Sequence, residues 1–166
     1  MIPEKFLKYN PELFAKGKRG LIFVFQKNRK KYAIKIKNPD SKAVEKIRNE
    51  AFFLKKLNKY KIGPKFVEES SDYVCYEFIE GTILKEYLKE NKDLNKIFKE
   101  ILKQCEILDK LNINKEEMHN PLKNIIINKK NKPILIDFER CHFTSRPKNV
   151  NQFKESMKRI NKLYSR

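Results

Sequence analysis

The dominant hydrophobic period of this chain shifts near its middle, and that shift limits the folds open to it. Ahead of Glu80-Gly81 strand-like runs predominate, with Leu21, Phe23 and Phe25 alternating with Ile22 and Val24. Beyond it apolar residues stand at helical spacing, with Ile97, Ile101, Cys105 and Leu108 on one stripe. A chain of 166 residues with a strand-rich first half and a helical second half is expected to be α+β. Its length suits one domain built as two small lobes, 1–80 and 81–166, with a hinge near Glu77–Gly81.

Leu13 to Lys37 reads as three short strands, separated by the turns Lys16-Gly17-Lys18-Arg19-Gly20 and Lys27-Asn28-Arg29-Lys30. Because Leu21 to Phe25 is apolar on both faces, the sheet it joins is expected to be covered on both. Ser41 to Lys59 follows as a helix, capped by Asp40 or Ser41, with Val44, Ile47, Ala51 and Leu54 on one stripe. Glu50 falls three residues after Ile47 and four before Leu54, so it points along that inward stripe. A carboxylate placed there needs a cationic partner. Phe66 to Val67 and Tyr73 to Ile79 complete a set of five strands.

The second half reads as a short helix over Thr82–Glu90 and a longer one over Leu94–Leu111. A loop, Lys115–Lys123, contains Pro121 and leads to a hairpin of Asn124–Asn128 and Pro133–Asp137 around Lys129-Lys130-Asn131-Lys132. The last helix, about Asn149–Tyr164, brings Phe153, Met157, Ile160 and Tyr164 together, and the polar segment Thr144–Val150 reads as its cap.

At 40% apolar residues the chain can bury a core. Its longest apolar runs, such as Leu21–Phe25 and Ile125–Ile127, are far too short to span a membrane, and no leader pattern precedes them. The expectation is a cytoplasmic protein. Cys75, Cys105 and Cys141 are odd in number and form no Cys-x-x-Cys pair, which points to reduced core thiols. His119 and His142 lack metal-ligand spacing. Thirty-nine Lys+Arg against 21 Asp+Glu leave a charge of +18. RNA or an acidic protein suits such a balance as partner, and so does a merely solvated basic surface, because no single run concentrates the charge. A composition rich in Lys, Glu, Ile and Asn fits heat adaptation, which raises both signs together and does not explain the excess.

Four residues carry the chemistry. Lys35 ends the strand-like run Tyr32-Ala33-Ile34-Lys35, and Glu50 follows it by fifteen residues on a helix. Asn124 opens an apolar run, and Asp137 follows by thirteen in Ile136-Asp137-Phe138-Glu139. A lysine in a cleft stays charged and aimed when a carboxylate pairs with it, and side-chain oxygens from Asn and Asp suit a hard cation. With these stand Ala15-x-Gly17-x-x-Gly20-x-Ile22, a turn whose glycines let backbone approach phosphates, and Tyr76-Glu77-Phe78-Ile79-Glu80-Gly81.

Together these motifs resemble the protein-kinase-like superfamily, and within it the minimal archaeal kinases related to the RIO and KEOPS-associated types. The resemblance covers Leu13 to Cys141. It implies a two-lobed fold, with a five-stranded antiparallel N-lobe carrying one helix and a reduced, mainly helical C-lobe. It further implies ATP and Mg²⁺ as cofactors and a hydroxyl-bearing substrate, as for a Ser/Thr protein kinase. Gly17 and Gly20 would cover the phosphates, with Lys18 and Arg19 adding charge; Lys35 would meet them, with Glu50 as its partner. Backbone groups of Glu77 and Ile79 would meet adenine, with Tyr76 as gatekeeper. Asn124 and Asp137 would hold the metal.

The chain departs from the pattern at the catalytic loop. His119 stands where the family has its aspartate, and Glu117 where it has its histidine, in Glu117-Met118-His119-Asn120-Pro121-Leu122-Lys123-Asn124. Three readings stay open: His119 accepts the hydroxyl proton, Glu117 takes that role, or the loop has lost its base. In the last case the protein is a pseudokinase or ATPase scaffold in an RNA-linked complex. Lys123 is a candidate to stabilise the transferring phosphoryl group. Beyond Asp137 no activation segment or Ala-Pro-Glu motif follows, which speaks against ordinary protein substrates.

Overall fold

The computed structural model describes residues 1–17, 20–38, 44–90 and 94–164. Lys18, Arg19, the expected cap at Asp40 or Ser41 and the Val44 side chain lie outside the described residues. The chain is α+β, with five α-helices and a five-stranded antiparallel sheet among the described residues. It divides into two compact units, Met1–Phe78 and Ile79–Arg166.

In the first unit, α1 (Glu4–Leu7) precedes β1 (Glu12–Lys16), β2 (Gly20–Lys27) and β3 (Lys30–Lys37). Then come α2 (Val44–Asn58), β4 (Phe66–Glu69) and β5 (Tyr73–Glu77), and the sheet order is β1-β2-β3-β5-β4. The turn between β2 and β3 is a two-residue hairpin with Asn28 and Arg29 at φ 49° and 62°, the backbone hand that matches strand twist. Register sets the two faces. Phe25, Ile34, Ile36, Tyr73 and Cys75 form one buried cluster, covered by Phe6 of α1 with Ile2 and Tyr9 beside it. Ala33, Lys35 and Val74 occupy the alternate positions and are also buried, and α2 packs on β3, β4 and β5.

The stripe of α2 is as its period predicts: Ile47, Ala51 and Leu54 are buried, and so is Glu50. Phe53 and Leu57 widen it. The cover from α1 has no counterpart in the sequence reading, because four residues are too few for a period to show. β5 ends at Glu77 rather than Ile79.

In the second unit, β6 (Gly81–Ile83) leads into α3 (Leu84–Glu90) and α4 (Asn95–Lys110). Thr82 and Ile83 were expected to be helical; instead they pair with Ile127 and Ile126. Gly81 is required for that pairing: a Cβ there would be driven into the Ile127 carbonyl and lie 2.8 Å from Asn128 Cα. β7 (Ile113–Asn114), β8 (Ile125–Asn128), β9 (Pro133–Leu135), β10 (His142–Phe143) and α5 (Asn149–Tyr164) complete the unit. β6, β8 and β9 form one small sheet, and β7 pairs with β10. Ile97, Phe98, Ile101, Cys105 and Leu108 of α4 face Phe153 and Ile160 of α5 in the core, with Phe98 and Phe153 edge to face at 5.9 Å. Ser156, not Met157, completes the buried face of α5. No helix among the described residues is long and apolar enough to cross a membrane. All three cysteines are buried, and none forms a disulfide.

Candidate functional site

Strand alternation puts Lys35 on the α2 face of β3, and helical period puts Glu50 on the sheet-facing side of α2. The two meet: Lys35 Nζ lies 2.5 Å from a Glu50 carboxylate oxygen, with both side chains over 90% buried. A buried ammonium and a buried carboxylate each cost several kcal/mol to desolvate, roughly, unless they face one another. Their pairing makes Lys35 a charge of fixed position.

The glycine turn sits directly against that lysine. A Cβ on Gly20 would lie 3.1 Å from Lys35 Cε and 3.2 Å from the Ile36 carbonyl oxygen, so glycine is what lets the lysine stem pass. Gly17 N–H donates to the Gly20 carbonyl at 2.9 Å and closes the turn, while Asn38 Nδ2 donates to the Gly17 carbonyl at 3.3 Å. The first unit thus gathers Gly17, Gly20, Lys35 and Glu50. Glu77 stands apart from them. Its N–H donates to the Lys65 carbonyl at 2.8 Å, and its carboxylate lies 3.2 Å from Lys65 Nζ and 3.8 Å from Lys30 Nζ. Ile79 opens the second unit and is half-buried.

In the second unit the hairpin of β8 and β9 aligns Asn124 with Asp137. Ile125 faces Leu135 across the ladder, and Ile136 N–H donates to the Asn124 carbonyl at 2.9 Å, so both residues leave the hairpin at the same end. The strand stops at Leu135, and Asp137 adopts φ 62°. That left-handed backbone costs an L-residue about 1 kcal/mol or more and redirects the chain immediately after the strand.

The turn holding Asp137 is clasped by residues the sequence reading left in a loop. Lys115 is fully buried, and its Nζ donates to the Asp137 carbonyl and to Glu117 Oε2, the latter at 3.0 Å. The same Nζ lies 5.0 Å from the centroid of the buried Phe138 ring. Glu117 reaches Arg140 Nε at 3.9 Å on the far side of the turn. The β7–β10 pair, with Asn114 opposite His142, brings the start of the loop beside the end of the turn.

A second network fixes the Lys115 backbone. Its N–H donates to Asn149 Oδ1 at 2.8 Å, and Asn149 Nδ2 donates to the Ile113 carbonyl at 2.7 Å and to Asp109 Oδ1 at 2.6 Å. Asp109, from α4, also accepts from the N–H groups of Asn149 and Val150 at 3.0 and 3.2 Å, so it caps α5 from another helix. The cap expected within Thr144–Val150 is supplied by tertiary contact instead.

His119 ends a 3-10 turn, Glu116–His119, and is exposed. Its Nδ1 lies 2.5 Å from the Glu116 carbonyl oxygen. A carbonyl only accepts, so Nδ1 carries the proton and the neutral ring keeps Nε2 as an acceptor. The His119 carbonyl is tied to α5 by Ser156 Oγ at 2.7 Å and by Arg159 Nη2. Beside it lies a cleft of about 310 Å³ lined by His119, Pro121, Leu122, Arg159, Ile160 and Leu163. Lys123, at the end of the next 3-10 turn, Pro121–Lys123, is exposed. Ser156 and Arg159 escaped the sequence reading, since a serine on an apolar stripe and one more cation carry little signal. No protein-family model matches the chain, and no curated protein matches its sequence.

Proposed function

We propose that this protein is an ATP·Mg²⁺-dependent phosphotransferase of two-lobed, protein-kinase-like architecture, transferring the γ-phosphate to a hydroxyl as a Ser/Thr protein kinase does. The observation that carries the reading is the buried Lys35–Glu50 pair beneath the Gly17–Gly20 turn. A lysine desolvated and aimed by a carboxylate, with the Gly20 backbone against its stem, suits polyphosphate. The donor set of the second unit fits a hard divalent cation, since Asn124 and Asp137 both offer oxygen and leave the hairpin at one end. Mg²⁺ held there would neutralise charge developing on the phosphate oxygens.

The chain's own residues do the rest. Lys35 binds the α- and β-phosphates, and Glu50 keeps it oriented. His119 Nε2 takes the proton from the acceptor hydroxyl as that oxygen bonds to the γ-phosphorus and the bond to the bridging oxygen of ADP breaks. Lys123 stands two residues after Pro121, exposed and available to the γ-phosphate, and the cleft beside His119 suits an acceptor with an apolar flank. Glu117 is already engaged, because its carboxylate lies 3.0 Å from Lys115 Nζ and 3.9 Å from Arg140 Nε.

One observation favours a second reading. With Glu117 engaged, the loop offers an imidazole and no free aspartate, which suits an ATP-binding scaffold that transfers nothing. Such a scaffold fits an RNA-linked complex, given the charge of +18. Incubation with γ-labelled ATP and Mg²⁺, alone and with cell extract, separates the two. Label transfer that disappears in Asp137→Ala and His119→Ala supports the kinase. Nucleotide binding without transfer or hydrolysis, together with salt-dependent RNA binding, supports the scaffold. Unchanged ATP affinity in both Lys35→Ala and Asp137→Ala would sink both readings.

A further inference from the structure

The buried lysine of the second unit has a task that neither spacing nor resemblance assigns. Among the described residues, Lys35 and Lys115 are the buried lysines, and Lys115 is the more enclosed, with no exposed surface. Lysine stems ordinarily carry the ammonium out to water, so full enclosure requires partners on several sides. Lys115 has three: the Glu117 carboxylate, the Asp137 carbonyl and the face of Phe138. Two of these belong to consecutive residues of the turn that presents Asp137. The third is itself braced against Arg140, which leaves the same turn.

We propose that Lys115 is a positioning residue for the divalent-cation site. By drawing the Asp137 carbonyl toward the protein interior, it holds the left-handed backbone of Asp137 and so turns the carboxylate away from the hairpin. The geometry supports this directly. Asp137 has φ 62°, a left-handed conformation that costs an L-residue about 1 kcal/mol and that contacts from outside the turn can hold in place. The carbonyl is the group that such a flip moves, and it is the group the ammonium grips. Lys115 is in turn fixed through its own N–H by Asn149, and Asn149 by Asp109 of α4. The site is therefore anchored to the core of the unit through a chain of hydrogen bonds rather than through its own loop. Supporting groups of this kind commonly change metal affinity or activity about 10–100-fold when lost.

The inference rests on the reading of Asp137 as a cation ligand, and the test separates the two. Full-length wild type, Lys115→Met, Glu117→Gln and Asp137→Ala are titrated with Mn²⁺ in the presence of ATP and followed calorimetrically. The Asp137 carbonyl ¹³C resonance is recorded in the metal-free proteins. Lys115→Met keeps the stem and removes the donor. It is expected to move that resonance and weaken Mn²⁺ binding about ten-fold or more, with ATP affinity in the absence of metal unchanged. Glu117→Gln, which leaves the lysine in place but loosens its aim, is expected to act in the same direction and by less. It carries the test if the methionine variant does not fold. Asp137→Ala weakening Mn²⁺ binding while the Lys115 and Glu117 variants match wild type would overturn the positioning role and leave the metal reading intact. Unchanged Mn²⁺ binding in Asp137→Ala would overturn the metal reading, and the positioning role with it.

Discussion

Among the described residues, each unit of this protein buries one lysine beside one glutamate, and the two pairs are built differently. In the first unit the partners come from separate regular elements: Lys35 from a strand and Glu50 from a helix, each delivered by the period of its own element. In the second unit Lys115 and Glu117 are two residues apart in irregular backbone, and the lysine is also gripped by a carbonyl and an aromatic ring. The first arrangement fixes a charge beside the Gly20 backbone. The second spends the charge inside the protein, on the shape of a turn. A buried ion pair is weak evidence for stability in general, so the difference lies in what each lysine holds in place.

The contrast can be broken most sharply at the carboxylates. Glu50→Leu removes the anion facing a buried ammonium and is expected to cost about 3–5 kcal/mol in denaturant unfolding. The double variant Lys35→Met with Glu50→Leu is expected to recover most of that stability while abolishing ATP binding. Glu117→Leu leaves Lys115 with the Asp137 carbonyl and the Phe138 ring, so a smaller loss of about 1–3 kcal/mol is expected. Equal losses at Glu50 and Glu117 would erase the distinction.

Asn149→Ala sharpens the comparison by reaching Lys115 through its backbone. It orphans the buried Lys115 N–H and the Ile113 carbonyl and loosens the Asp109 cap on α5. The expected cost is about 1–3 kcal/mol by chemical unfolding, with Mn²⁺·ATP binding weakened and metal-free ATP binding intact. A stability loss with no change in metal affinity would confine Asn149 to the helix cap.

The smallest effect compares one thiol from each unit. Burial pushes Cys75 and Cys105 up from 9.0 to about 12. The folded state therefore keeps protons that the unfolded chain loses. That contribution to stability is complete below about pH 9 and is lost as pH rises toward 12. Near pH 10 the loss is about 1 kcal/mol per thiol. Unfolding midpoints measured from pH 8 to 10.5 are expected to fall, and a Cys75→Ala, Cys105→Ala variant is expected to show a flatter decline. Equal slopes would mean that both thiols are accessible in the folded state, which rapid disulfide exchange with an aromatic disulfide would reveal.

How much of the site was legible follows from where each residue sits. Lys35 falls on an alternation and Glu50 on a stripe of Ile47, Ala51 and Leu54, so each could be placed on its face before any contact was known. The thirteen-residue step from Asn124 to Asp137 matched a hairpin with a four-residue turn, and the ladder from Ile125–Leu135 to Ile127–Pro133 has that register. By contrast, Thr82 and Ile83 looked like the start of a helix because their strand partner, β8, lies more than forty residues away. On α5 the buried face rotated from Met157 to Ser156 because the serine hydroxyl bonds the Met118 and His119 carbonyls, a demand set by another segment.

The sequence by itself determined the α+β division, the strand and helix faces, the inward aim of Glu50 and the pairing of the Asn124 and Asp137 strands. All of these are written in short-range repeats of apolar and polar residues, which burial reads directly. Tertiary structure alone decided the left-handed backbone of Asp137, the enclosure of Lys115 and the cap that α5 receives from Asp109. These depend on hydrogen bonds between residues 22 to 41 positions apart, in backbone that has no period to announce which side chain will be inside.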